Sequence, residues 1–183
     1  PTTPAAAAAL LEAIGTHPTD ASRDILTLLA LTFVRPGELR RAEWSEVDLE
    51  RAVWRIPAAK MKMRTDHLVP LSRQALTILK ARPTRTGWVF PSPRDPKRPY
   101  SNMAMKQMLG TIGYRPAQIT PHGFRAMART LIDEHLRIAP DVIEVQLAHT
   151  VRGPLGDTYN RSTYLTERTA MMQTWADFLD ALR

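Results

Sequence analysis

A chain of 183 residues with 25 Lys and Arg, 18 Asp and Glu, five His and no Cys carries a formal net charge of +7 and has the length of one domain. At 44% hydrophobic and 23% charged it can bury a core, which excludes a disordered basic tail. The missing cysteines exclude disulfides, thiolate zinc sites, iron–sulfur clusters and cysteine nucleophiles, so chemistry must come from oxygen and nitrogen groups. No apolar run approaches the roughly 18 residues of a membrane span. The alanines at positions 5–9 follow no basic leader, so the reading is a soluble protein that stays in the cytoplasm.

The Ala-rich stretch 4–14 predicts a helix stopped by Gly15 and Pro18. A second helix opens at Asp20, with Ile25, Leu28, Leu29 and Phe33 at helical spacing, and Arg35-Pro36-Gly37-Glu38 breaks it before a short third helix over 39–42. Residues 47–71 change character: V-D-L, V-W-R-I-P and H-L-V-P-L predict three short antiparallel strands. Their second turn is the basic segment Lys60-Met61-Lys62-Met63-Arg64. Ser72 caps a further helix, and five prolines between 83 and 99 predict an ordered, extended surface loop. Residues 102–109, 122–135, 140–147 and 163–182 are helical by pattern. The expectation is a mainly α fold with a small antiparallel β-sheet.

Charge is unevenly placed along this order. Residues 1–50 hold four basic and eight acidic side chains, residues 51–106 thirteen and two, and residues 107–183 eight of each. The basic third, with Lys60, Lys62, Arg64, Arg94, Lys97 and Arg98, would attract a polyanion, and nucleic acid is the leading candidate. A solvated basic face is the plainer alternative.

Five clusters bear on chemistry. Arg35 lies in F-V-R-P-G-E-L-R with Glu38 three residues on, suited to holding its guanidinium against a phosphate. Lys62, on the hairpin turn, can donate a proton to a leaving oxygen. His122 and Arg125, in T-P-H-G-F-R, share one face at a helix start, where backbone N–H groups favour an anion, and Phe124 points inward. His149 follows Q-L-A at a helix end, and Tyr159 lies in G-D-T-Y-N-R. Singly, each has an ordinary structural explanation: an ion pair, a solvated lysine, a cap, a packed tyrosine. Together they make a phosphate clamp with a proton donor, a base and a nucleophile. No pair of histidines has the H-E-x-x-H spacing of a metal hydrolase.

Read as a set, R-P-G-E, M-K-M, H-G-F-R, Q-L-A-H and Y-N-R make the whole chain resemble the catalytic domain of the tyrosine recombinases, in particular prophage and genomic-island integrases. The resemblance implies the tyrosine recombinase catalytic-domain fold and metal-free, cofactor-free strand exchange on duplex DNA. Tyr159 would attack a backbone phosphorus and form a 3′-phosphotyrosyl bond, Arg35 and Arg125 would grip the non-bridging oxygens, and Lys62 would protonate the leaving 5′-oxygen. His122 would accept the tyrosine proton and His149 hydrogen-bond the phosphate, two roles the motifs do not separate; Glu38 would orient Arg35. Tyr164 is the rival nucleophile, with Y-N-R favouring Tyr159.

The same resemblance implies that residues 1–183 are one C-terminal catalytic domain, with the arm-binding and core-binding domains outside this chain. It further implies double-stranded DNA attachment sites as partners, a monomer that becomes a tetramer on DNA, and an excision factor or host DNA-bending factor. The apolar stripe Met171, Met172, Trp175, Phe178, Leu179 and Leu182 would either fold back on its own core or dock on a neighbouring protomer. The alternatives are a type IB topoisomerase-like nicking-closing enzyme, which uses a similar residue set, and a non-catalytic DNA-binding module.

Overall fold

The computed structural model describes residues 1–149 and 164–183. Helix α1 (Pro4–Gly15) starts where Thr3 Oγ1 accepts from the Ala6 N–H, with Pro4 at the first position, whose missing N–H costs nothing there. It buries Ala7, Leu10, Leu11 and Ile14 against α2 (Asp20–Thr32), the central helix of the molecule. Six apolar residues of α2 explain that position: Ile25, Leu26, Leu28, Leu29, Ala30 and Leu31 are all buried, so its apolar surface wraps most of the way round.

The end of α2 sets the first functional residue. Phe33 adopts a left-handed conformation (φ 39°) with its ring in the core, turning the chain so that Arg35 precedes α3 (Pro36–Arg40). The sequence reading took Arg35-Pro36-Gly37-Glu38 as a break. Pro36 instead occupies the first helical position, where its fixed φ is compatible with the helix, and α3 begins three residues earlier than expected.

A 3-10 turn (Trp44–Glu46) leads into β1 (Val47–Asp48), β2 (Val53–Ile56) and β3 (His67–Pro70), a three-stranded antiparallel sheet in sequence order. Trp54 faces Val69 and Ile56 faces His67 across the β2–β3 ladder. Along β2, Trp54 and Ile56 are buried and Arg55 is exposed, the period-2 alternation that keeps one face on the core. The β2–β3 connection, residues 57–66, is the expected lysine-bearing hairpin.

Helix α4 (Arg73–Ala81) is capped by Ser72, whose Oγ accepts from the Ala75 N–H. The proline-rich loop is ordered by bridges pairing Glu43 with Trp88 and Pro91 with Pro99. Helices α5 (Asn102–Thr111), α6 (Gly123–Leu131, running into a π-helical turn at Ile132–Leu136), α7 (Pro140–Gln146) and α8 (Leu165–Ala181) complete the chain. The expected start of the last helix at Thr163 lies outside the described residues.

Helix α8 folds back on its own domain. Met171, Met172, Trp175, Ala176 and Leu179 are buried, Trp175 Nε1 donates to the Ala30 carbonyl at 2.8 Å, and its ring meets Phe33 edge-on at 6.4 Å. Four of the six residues in that stripe, Met171, Met172, Trp175 and Leu179, are thus spent in cis, while Phe178 and Leu182 are half-buried. No helix among the described residues is long and apolar enough to cross a membrane.

Candidate active site

Arg35 caps α3, and Glu38 holds it twice. One Glu38 oxygen accepts from the Arg35 backbone N–H at 2.8 Å and the other from its guanidinium at 2.9 Å. Glu38 is 4% exposed, so the carboxylate is fixed and the arginine is oriented by a nearly immobile partner. Arg35 Nη2 also reaches the Ala148 carbonyl at 3.4 Å, 113 residues away in sequence.

Arg125 is more deeply set, at 5% exposed. It lies in the first turn of α6; Nη1 donates to the Phe33 carbonyl at 3.0 Å and Nη2 to the Leu147 carbonyl at 2.7 Å. Burial, followed by the charge of Arg35, lowers its pKa to about 10, so it stays protonated at neutral pH. Arg35 and Arg125 thus bind the consecutive carbonyls of Ala148 and Leu147 at the end of α7. The left-handed residues Phe33 and Ala148 (φ 39° and 50°) place two of the three carbonyls the arginines hold.

His149 closes the group. Its Nε2 lies 3.1 Å from Arg125 Nη2 and its Nδ1 2.6 Å from Glu144 Oε2. His122, exposed like His149, is the residue before α6. Its pKa is lowered by partial burial and then by the charges of Arg125, Arg35 and His149, with Glu38 acting the other way. These groups therefore feel one another's fields, and the basic ring is neutral at neutral pH, the state in which it can accept a proton.

Lys62 is exposed on the hairpin. Its neighbours Met61 and Met63 line a cleft of about 220 Å³ together with Thr65, Asp66, His67, Ala148 and His149, so hairpin and histidine share one recess. A larger groove of about 720 Å³, along Trp44, Val53, Leu68 and Leu165, contains none of the candidate catalytic residues. Tyr159 lies outside the described residues. The rival Tyr164 is half-buried, and its backbone carbonyl accepts from the Arg168 N–H in the first turn of α8.

The expected DNA contacts divide. Arg64, Arg94, Lys97 and Arg98 are exposed, the last three on a turn organised by Asp95 and by Trp88, whose Nε1 donates to the Lys97 carbonyl at 3.0 Å. Lys60 points inward instead: it donates to the Arg41 carbonyl and bridges Glu43 and Glu46, with its side chain 18% exposed. Its charge is consumed in anchoring the root of the hairpin, because the 3-10 turn brings two carboxylates beneath it.

The sequence reading missed four supports. Glu144 binds His149; it stands five residues before it, off the usual helical pairing distance. His67, Gln146 and Arg168 form a buried knot: His67 Nε2 lies 3.0 Å from the Gln146 carbonyl, and Arg168 donates to Gln146 Oε1 and to the Leu68 carbonyl. Burial, and then the charge of Arg168, push the His67 pKa down to about 3. This knot ties β3, α7 and α8 together behind the carbonyls that hold the arginines. The only advance signal was the His that heads the apolar run L-V-P-L; Arg168, between Glu167 and Thr169, looked like an ordinary surface residue. Among the described residues, no group of three His, Asp or Glu side chains is arranged to hold a metal ion.

The profile of the phage integrase family matches residues 2–165. The chain is 43% identical over 160 residues to the prophage integrase IntZ of Escherichia coli K12, covering 86% of this chain and 39% of that protein. It is 38% identical over 179 residues to the integrase of Enterobacteria phage P4, covering 88% and 41%. The chain thus spans about two fifths of the length of these relatives. Among solved structures, the integrase from mycobacterium phage Brujita superposes with a TM-score of 0.73 at 15% identity, over all of this chain and 63% of that one. The XerA recombinase gives 0.59 at 21% identity, over 90% and 57%. The fold is that of the tyrosine recombinase catalytic domains, and with most of its length matched by the family profile, the chain belongs to the phage integrase family.

Proposed function

We propose that residues 1–183 form the catalytic domain of a site-specific recombinase that cuts and rejoins duplex DNA through a 3′-phosphotyrosyl intermediate. The observation that supports this most is the convergence of Arg35, Arg125 and His149 on the end of α7. Three motifs scattered over more than a hundred residues meet as one cationic site beside the lysine hairpin. Arg125 has five N–H groups and spends three on Phe33, Leu147 and His149, which leaves Nε and one proton of Nη1 for phosphate oxygens.

In this reading Tyr159 Oη attacks the phosphorus as its proton passes to His122 or His149, and the bond to the 5′-oxygen breaks with a proton from Lys62. Reversal by the 5′-hydroxyl of a partner strand restores the phosphodiester, so bond energy is kept and no nucleotide cofactor is consumed. The fixed guanidinium groups stabilise charge on the pentacoordinate phosphorus without reorganising. Arg64, Arg94, Lys97 and Arg98 would follow the flanking backbone, giving salt-sensitive binding. DNA is also the bound partner in the structure of the Tn1549 transposon integrase with transposon right-end DNA, which has the same fold (TM-score 0.62, 16% identity). Assembly as a tetramer on paired attachment sites, helped by an excision or DNA-bending factor in the cytoplasm, completes the proposal.

The test is to incubate the protein with a pool of nicked duplexes of randomised core sequence, with EDTA present, and to map any covalent adduct. The expected result is a detergent-resistant adduct on Tyr159, absent from Tyr159→Phe, which still binds DNA. An adduct on Tyr164, or one that persists in Tyr159→Phe, overturns the assignment of the nucleophile; loss of the adduct with EDTA overturns the metal-free mechanism.

A further inference from the structure

The contacts of His149 specify more than its location. A guanidinium carries no lone pair, so the 3.1 Å approach of Arg125 Nη2 to Nε2 is a hydrogen bond only if Nε2 accepts. The ring proton then sits on Nδ1, and Nδ1 faces Glu144 Oε2 at 2.6 Å, where a carboxylate accepts it. Two independent contacts require the same tautomer. We infer that Glu144 is a positioning residue for the reaction, fixing the tautomer and direction of the His149 ring so that Nε2 is the atom presented to the phosphate.

The local backbone is shaped for this. Helix α7 ends at Gln146, Ala148 turns left-handed, and the His149 N–H donates to the Glu144 carbonyl at 3.0 Å, so backbone and side chain of His149 are tied to the same residue. The carboxylate is itself held, since Arg129 Nε donates to Glu144 Oε1 at 2.9 Å and Arg129 Nη1 lies 3.5 Å from Asp133. Burial opposes its ionisation, but the hydrogen bonds from His149 and Arg129 keep its pKa below the ordinary glutamate value.

Charge explains why such a partner is needed. The surroundings of His149 include Arg125 and Arg129 from α6, Arg35 and Glu38 from α3, His122, and Asp66 and His67 across the cleft. Of these cations Arg125 faces Nε2 directly, and the Glu144 carboxylate stands behind the ring at Nδ1. With Glu144 in place, an entering phosphate can displace the Arg125 contact, Nε2 then takes a proton from solvent, and the imidazolium so formed donates from Nε2 to a phosphate oxygen while Nδ1–H stays on Glu144.

The role in catalysis rests on the recombinase reading, but the ring state does not, and it is measured on the DNA-free protein by 15N NMR of labelled histidines. The wild-type ring should hold its neutral proton on Nδ1. In Glu144→Gln the amide no longer enforces that tautomer, and the Nε2–H form should appear. Arg129→Met, which removes the other partner of Glu144, should keep the Nδ1–H form. With nicked duplexes, Glu144→Gln should slow adduct formation about 10-fold and alter its pH profile. A Glu144→Gln protein whose His149 tautomer matches wild type overturns the inference, as does an Arg129→Met protein that loses the tautomer equally. Absence of any adduct in wild type would count against the recombinase reading and leave the ring measurement to decide this one.

Discussion

The two halves of the candidate site are built on opposite plans. Arg125 and Glu38 are all but sealed from solvent, and the arginines are bound to backbone carbonyls before any substrate arrives; Lys62 stands exposed on a hairpin beyond the sheet. The difference fits the roles proposed for these groups. Charge stabilisation gains from a fixed, desolvated cation whose cost was met during folding, whereas a proton donor must reach an oxygen that belongs to the ligand. The protein anchors only the hairpin's root, through Lys60 with Glu43 and Glu46 and through Arg55 with Asp66.

The comparison breaks first at Arg125. Arg125→Ala strips the Phe33 and Leu147 carbonyls of their donor inside the core, so it should lower stability by roughly 2–4 kcal/mol and reduce adduct formation by at least about 10³-fold. Thermal melting and adduct kinetics check the two effects; an unchanged melting temperature would mean that the arginine is not structurally embedded. Lys62→Ala should do the opposite on stability, leaving melting unaltered while slowing adduct formation by about 10²–10³-fold. A 5′-bridging sulfur in the nicked duplex, a leaving group that needs no proton, should restore Lys62→Ala and not Arg125→Ala. Equal rescue of both would erase the distinction between the halves.

How much of this was legible in the sequence differs between the halves as well. Helices with long apolar periods, the three strands and the capping Ser72 follow from local pattern, and the motif set named the candidate groups that the fold brings together at the end of α7. Local pattern failed where a residue's partner is distant or where the chain bends. Lys60 looked like its neighbour Lys62 because nothing local shows that Glu43 and Glu46 end up beneath it. Pro36 looked like a break because a helix start and a helix end both use proline. Glu144 escaped because its pairing with His149 depends on the left-handed turn at Ala148, and His67 because its contact with Gln146 spans 79 residues.

The expected effect furthest from the reaction concerns that buried histidine. The folded pKa of about 3 lies below the ordinary 6.5, so the native state keeps His67 neutral while the unfolded chain takes up a proton. Its contribution is complete above pH 6.5 and is lost as the pH falls towards 3, with a slope of at most about 1.4 kcal/mol per pH unit. Melting curves over that range should show the decline. His67→Leu should flatten it, and an equally steep decline in that variant would show that other groups carry it.

The central claim is that Arg35 and Arg125 act on one phosphate from a preformed position. A crystal structure of the protein with orthovanadate and a nicked duplex, in which vanadate takes the place of the scissile phosphorus, tests this most directly. The account predicts one vanadate contacted by both guanidinium groups, with Arg125 still bound to the Phe33 and Leu147 carbonyls. Vanadate held by only one of the two arginines, or an Arg125 that must leave those carbonyls to reach it, would contradict it.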